Sequence, residues 1–173
     1  MKALSFWKSV TMDKANLLEG VLTSLRDNHI RFCVIGGQAV NAYVEPLVSL
    51  DLDLAVAVDQ IGQVRAAMQQ SFQVEEFPHS LNVSSPGSDL RIQIQTDPRY
   101  SDFVNRATDR DVLGVRLPVA ALEDVLQGKV WAASAPERRP TKRRKDLLDI
   151  ARILEANSRL ESRVPAALLK EIS

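Results

Sequence analysis

Between Asp13 and Asn28 the apolar residues Leu17, Leu18, Val21, Leu22 and Leu25 recur at helical spacing, which predicts an amphipathic helix with Thr11 and Asp13 available as caps. The period then changes. Phe32-Cys33-Val34-Ile35 is a short β-type run stopped by Gly36-Gly37, and Gln38 to Tyr43 reads as a short helix, so the order is strand, glycine turn, helix. From Asp51 to Val58 a strand begins with polar Asp51 and Asp53 alternating against Leu52 and Leu54, so that both aspartates share one face. A helix over Ile61 to Gln70 follows, and Leu81 to Ser84 and Leu90 to Gln95 read as two strands of a hairpin around Pro86-Gly87-Ser88-Asp89.

Val112 to Val119 is a further short β-type stretch, and Ala121 opens a helix that runs toward Trp131. The stretch from Glu137 to Lys145 is dense in arginine and lysine and contains a helix-breaking Pro140. It leads into a helix over Lys142 to Ala156, and an amphipathic segment from Val164 closes the chain. No internal repeat and no separating linker is visible, so the expectation is a single domain over 1–173, with a sheet-and-helix core at about 13–120 and a helical part at about 121–173.

Composition narrows this picture only slightly. A chain of 173 residues with 45% hydrophobic and 25% charged residues can bury one full core. Lys+Arg and Asp+Glu both number 22, so any attraction to nucleic acid or an anionic surface has to be local. The one cysteine, Cys33, sits in an apolar run and reads as a small buried hydrophobe; no disulfide or cysteine zinc site is possible within one chain. His29 and His79 are far apart in the sequence, and Trp7 and Trp131 read as packing residues. The beginning of the chain lacks the apolar core of a signal peptide and no stretch is long enough to cross a bilayer, so a cytoplasmic location without membrane association is expected.

Candidate chemistry centres on two features. Two aspartates at i and i+2 of a strand have Cα atoms about 6.5 Å apart, so their carboxylates can share one divalent cation or bridge two, a donor set that suits magnesium; the plain alternative is a solvated strand face. The Gly36-Gly37 turn lets backbone N–H groups approach phosphate oxygens at a helix start, or serves only as a tight turn. Late in the chain, Lys142, Lys145, Asp146 and Asp149 fall on one helix face, either bordering a cleft or forming an exposed stripe of ion pairs. The basic run from Arg138 to Lys145 is a solvated loop lending one or two residues to a nucleotide site, a triphosphate clamp, or an RNA-backbone contact.

Taken together, Ile35-Gly36-Gly37-Gln38-Ala39-Val40-Asn41-Ala42-Tyr43 followed by Ser49-Leu50-Asp51-Leu52-Asp53-Leu54 resembles the motif of the DNA polymerase beta-type nucleotidyltransferases. With Lys129-Val130-Trp131-Ala132-Ala133, Arg138 and Lys145-Asp146-Leu147-Leu148-Asp149-Ile150, it is similar to the AbiEii/AbiGii toxin branch, over roughly Arg31 to Leu154. The resemblance implies an α/β (α+β) nucleotidyltransferase fold, a mixed sheet flanked by helices with a C-terminal helical extension. It further implies a bacterial protein in which Asp51 and Asp53 hold Mg2+ and, with Lys129, Lys145 and Asp149, carry catalysis. Gly36, Gly37, Ser49, Arg138 and Asp146 would contact a nucleoside triphosphate, an RNA or protein would be the acceptor, and an antitoxin protein would be a partner.

Two positions depart from that pattern. Leu47 stands where many members carry an arginine four residues before the first aspartate, and Gln93 or Gln95 stands where a third carboxylate is expected. A glutamine cannot accept a proton near neutral pH, and losing a general base typically costs 10²- to 10⁴-fold in rate, or about 3–5 kcal/mol. Asp97 or Asp149 could substitute. The alternative is a catalytically silent module that binds a nucleotide or a partner.

Overall fold

The computed structural model describes residues 16–173, so the caps expected at Thr11 and Asp13, and Trp7, lie outside the described residues. The elements in chain order are α1 (Leu17–Asp27), β1 (Phe32–Ile35), α2 (Gly36–Tyr43), β2 (Asp51–Val56), α3 (Ile61–Ser71), β3 (Gln73–Phe77), β4 (Ser80–Ser84) and β5 (Arg91–Gln95). They continue with α4 (Phe103–Arg106), β6 (Thr108–Val112), β7 (Val115–Val119), α5 (Leu122–Ser134), α6 (Pro140–Ala156) and α7 (Ala166–Ile172). The strands form one mixed sheet in the order β3-β4-β5-β2-β1-β7-β6. β2 pairs parallel with β5 and β1 parallel with β7, while β1–β2, β3–β4, β4–β5 and β6–β7 are antiparallel.

β1 is buried along its whole length, as an uninterrupted apolar run near the middle of a sheet should be. β2 and β5 instead alternate, with Leu52, Leu54, Ile92 and Ile94 in the core they share with Leu17, Val21 and Leu25 of α1 and Val64 and Met68 of α3. Removal of such side chains from water contributes about 1.5–3 kcal/mol each. Their alternate residues, Asp51, Asp53, Arg91, Gln93 and Gln95, therefore emerge on the opposite face. On that side α5 and α6 pack against each other and against α2.

The structure alters several expected boundaries. Gly36 and Gly37 are the first residues of α2, not a turn preceding it. The strand from Asp51 ends at Val56, and after Ala57 a 3-10 turn runs over Val58–Gln60. The hydrophobic pattern does not reveal β3, an edge strand that is mostly exposed and has no clear apolar alternation. The stretch Val112 to Val119 resolves into the end of β6, a two-residue turn and β7. Leu113 at φ 57° and Gly114 at φ 81° give that turn its left-handed backbone, and Leu-Gly is not the usual sequence signal for it. Pro140 opens α6 instead of interrupting a helix, since at the first helical position its missing N–H has no partner to lose. Cys33 is fully buried, and burial pushes its thiol up to about 12, which suits an inert packing residue. None of the described helices is long and apolar enough to cross a membrane.

Candidate functional site

The parallel register of β2 and β5 sets Asp51 opposite Arg91, Asp53 opposite Gln93, and Ala55 opposite Gln95. Gln93 in turn faces Asn82 of β4, and Asn82 faces Glu75 of β3. Paired residues share a face, so Asp53, Gln93, Asn82 and Glu75 form a polar row across four strands. This row floors a cleft of about 300 Å³ whose walls include Gly37 of α2, Ser49, Lys129 of α5, Arg138 before α6, and Lys142, Lys145 and Asp146 of α6.

Local geometry at the head of α2 explains one glycine directly. Gly36 has φ +68°, and a Cβ built there would collide with the Asp53 carboxylate. Only a residue without a side chain both adopts that backbone and lets the helix start lie against Asp53. Ser49 is tied in from the other side, where its hydroxyl accepts a hydrogen bond from the Asp51 N–H at 3.2 Å. Gln38 of α2 donates to the Ser49 carbonyl at 3.3 Å, which links the helix to the entry of β2.

The two acids of β2 differ in surroundings. Burial pushes the Asp53 carboxyl above its ordinary value, and Asp51 adds to the rise against the opposing pull of Lys129. Asp51 carries two cations, Arg91 with Nε 2.7 Å from Oδ1 and Lys145 with Nζ 3.9 Å from Oδ2. The Arg91 side chain is 70% exposed, and pairs that open to water are worth about 0.2–1 kcal/mol, so this contact is easily exchanged.

Behind the cleft wall lies a buried charge network. Lys129 reaches Asp149 Oδ2 at 2.9 Å and Asp146 Oδ1 at 3.3 Å. Burial favours its neutral amine, but the carboxylates of Asp149 and Asp146 together outweigh that and raise its pKa, keeping it an ammonium. Arg138 grips Asp146 with two N–H groups, at 2.8 and 3.0 Å. Arg152 donates to Asp149 at 2.7 Å and extends to Asn41 Oδ1 and the Glu45 carbonyl, which fastens α6 to α2 and its exit loop.

Of the residues singled out in the sequence, Gly37, Ser49, Asp51, Asp53, Lys129, Arg138, Lys145 and Asp146 line the cleft. Gly36 lies beside Asp53 in an adjoining recess of about 90 Å³, which also touches Gln93, Gln95, Tyr100 and Gly128. Asp149 is not part of the cleft lining; it is buried behind Lys129, so the charged face expected on α6 divides between cleft and interior. The basic run also divides, because Arg143 turns away to Glu171 and the Ala133 carbonyl while Lys142 and Lys145 face the cleft. Trp131 packs with Tyr100 and Phe103 under Arg99, as a packing residue would. Sequence reasoning misses Arg91, Asn82 and Glu75. Arg91 could be found, since it lies two residues before Gln93 and so on the same face of a strand that the pattern predicts.

Among the described residues no group of three or more His, Cys, Asp or Glu could hold a metal. Two carboxylates are nevertheless a suitable protein contribution for magnesium, which keeps several waters and takes one or two carboxylates plus substrate phosphates. Asp51 and Asp53 stand on one strand face at the cleft, the latter close against the start of α2 at Gly36, and this donor set fits that role.

A family model described as the nucleotidyl transferase AbiEii toxin of type IV toxin–antitoxin systems matches residues 23–172. No curated protein matches significantly by sequence. Among solved structures, the chain resembles the ANT(2″)-Ia crystal structure in complex with adenylyl-2″-tobramycin, at 15% identity and TM-score 0.61, covering 93% of this chain and 99% of that one. The lincomycin-bound lincosamide antibiotic adenylyltransferase LnuA aligns at 11% identity and TM-score 0.53, covering 79% and 95%. An antigenic nucleotidyltransferase-like protein from Paracoccidioides brasiliensis aligns at 15% identity and TM-score 0.52, covering 84% and 78%. At these identities the likenesses establish the fold, a nucleotidyltransferase fold as the sequence motif implied.

Proposed function

Since the chain belongs to the AbiEii family of nucleotidyl transferase toxins, we propose that it transfers a nucleoside monophosphate from a nucleoside triphosphate to a hydroxyl of an RNA or protein acceptor, as a toxin neutralised by an antitoxin partner. One observation carries the reading: a glycine-started helix and the Asp-x-Asp strand that follows it converge on one cleft with a basic helix from much later in the chain. In the proposal Asp51 and Asp53 hold Mg2+, which when bound neutralises the charge that develops on the transferring phosphoryl group.

The chain's own residues supply the rest. The α2 N-terminus at Gly36 and Gly37, together with Ser49, seats the triphosphate, because unpaired helix N–H groups attract anions. Lys145 and Lys129 offset its charge, with Lys129 held protonated and in place by Asp146 and Asp149. Asp149 thus acts through Lys129, and Arg138 steadies Asp146 at the cleft wall. In the proposal the acceptor hydroxyl enters from the recess beside Gln93. Its oxygen bonds to the α-phosphorus as the bond from that phosphorus to the bridging oxygen breaks, pyrophosphate leaves, and the hydroxyl proton passes to water.

A second reading is a silent nucleotide-binding or partner-binding module. It is supported by the residue beside Asp53, for the parallel register puts Gln93, an amide that cannot take a proton, opposite that carboxylate. Calorimetric titration with each of the four ribonucleoside triphosphates and Mg2+ tests the first reading. The expected result is metal-dependent binding of at least one triphosphate by the native protein, lost in the Asp51→Ala/Asp53→Ala double variant. Absence of binding to any triphosphate would reject it, and binding without transfer to any RNA or protein acceptor would select the silent module.

A further inference from the structure

Asp51 is met from two sides by cations that come from other elements. Arg91 stands directly across the β2–β5 ladder from it, on the same face as Asp53 and Gln93, and lines the cleft. Its guanidinium lies 2.7 Å from Asp51, where a cation bound to that carboxylate would have to compete with it. The same guanidinium is largely exposed on a strand paired on both sides in the cleft floor and offers a planar fork of donors suited to phosphate oxygens. The Leu47 side chain is half exposed and lines a separate shallow depression with Leu148 and Arg152, so that position supplies no cation to the cleft.

We propose that Arg91 is a polyphosphate-binding residue of this cleft. In the nucleotide-free protein it holds Asp51 as a placeholder cation, and it passes to the phosphates of the incoming triphosphate when a divalent ion takes its place on Asp51. The inference rests on the cleft being a nucleoside triphosphate site. The exchange leaves no charge unpaired: the metal replaces Arg91 on Asp51, and the triphosphate replaces Asp51 on Arg91. It also requires little motion, since the contact given up is an exposed one.

The proposal makes changes of opposite sign for two ligands, which a simple surface brace would not. Arg91→Ala removes both a competitor for Asp51 and a contact to phosphate. Binding of Mn2+ alone, followed by electron paramagnetic resonance, is expected to tighten several-fold. Binding of inorganic triphosphate and of Mg2+ with each ribonucleoside triphosphate, followed by calorimetry, is expected to weaken about tenfold or more, and Arg91→Lys is expected to recover part of it. Matching circular dichroism spectra and melting temperatures would establish that the variants fold. Unchanged triphosphate affinity in Arg91→Ala, or weakening of both ligands together, would overturn the assignment while leaving the nucleotide site intact. If the native protein itself binds no triphosphate, the reading of the cleft fails and this assignment with it.

Discussion

Two pairs of aspartates lie at this cleft or directly behind its wall, and their environments differ in every respect that matters. Asp146 and Asp149 on α6 are 1% and 2% exposed and are ion-paired with Lys129, Arg138 and Arg152. Asp51 and Asp53 on β2 face the open cleft; Asp51 has only exposed or distant cations, and among the described residues no ion pair reaches Asp53. A paired buried acid has its charge already answered and serves as architecture, here the positioning of Lys129. Asp53, desolvated and without an ion pair among the described residues, and Asp51 beside it, held only through exposed contacts, are where a cation from solution gains most.

This contrast can be broken most visibly on the buried side. Asp146→Ala would leave Lys129 and Arg138 without their shared carboxylate, and removing one partner of a buried ionic group costs about 3–5 kcal/mol. For a protein of this size each kcal/mol corresponds to about 2–4 °C, so calorimetry should show the melting temperature falling by on the order of 10 °C. A drop no greater than that of Asp51→Ala would mean the two pairs are energetically alike.

Next in size is Gly36→Ala, which forces a side chain into a left-handed backbone and against Asp53. A cost of about 1–3 kcal/mol is expected, together with weaker triphosphate binding, and a variant that melts and binds like the native protein would show that the close approach is not needed.

Asp53→Asn should act in the opposite direction on stability. The folded pKa of Asp53 lies above its ordinary value of 3.8, so its ionised form destabilises the fold at pH values above the folded pKa and the cost disappears below the ordinary value. The variant is therefore expected to melt higher at neutral pH, with the gain shrinking as melts are repeated toward pH 4, even as metal-dependent binding is lost. A variant less stable at neutral pH would show that Asp53 is satisfied where it stands.

The smallest expected effect tests the row beyond Asp53. Gln93→Asp adds a carboxylate at the register partner of Asp53 and should tighten Mn2+ binding at a stability cost of about 1 kcal/mol or less, read from paired binding and melting curves. If transfer activity appears only in this variant, the silent-module reading gains; if the native protein is active and the variant merely binds metal better, the third acid is dispensable here.

Much of the site is legible in the order of residues, and the reasons are local. The period-two alternation of Asp51 to Leu54 places both aspartates on one strand face whatever surrounds them. A glycine pair after the buried strand Phe32–Ile35 marks a backbone that other residues avoid, and Gly36 at positive φ has that property. Short-range steric and hydrophobic periodicities of this kind are properties of a few consecutive residues, and so the order of elements from α1 to α3 and the α/β (α+β) class follow from the chain alone.

Other features depend on partners distant in the chain. Which of Gln93 and Gln95 stands opposite Asp53 cannot be read from the sequence; only the parallel β2–β5 register sets Gln93 there. Asp146 and Asp149 share a helix face in the sequence, yet their fates differ because Lys129 from α5 lies between Asp149 and the cleft. Edge strand β3, which brings Glu75 to the far end of the polar row, leaves no trace in the pattern because its exposure removes the apolar alternation. Strand register, the side from which a lysine enters and the pairing of buried charges are all set by packing between residues far apart in the chain. Their free energies arise only once the core has brought those residues together, which is why the tertiary structure alone could decide them.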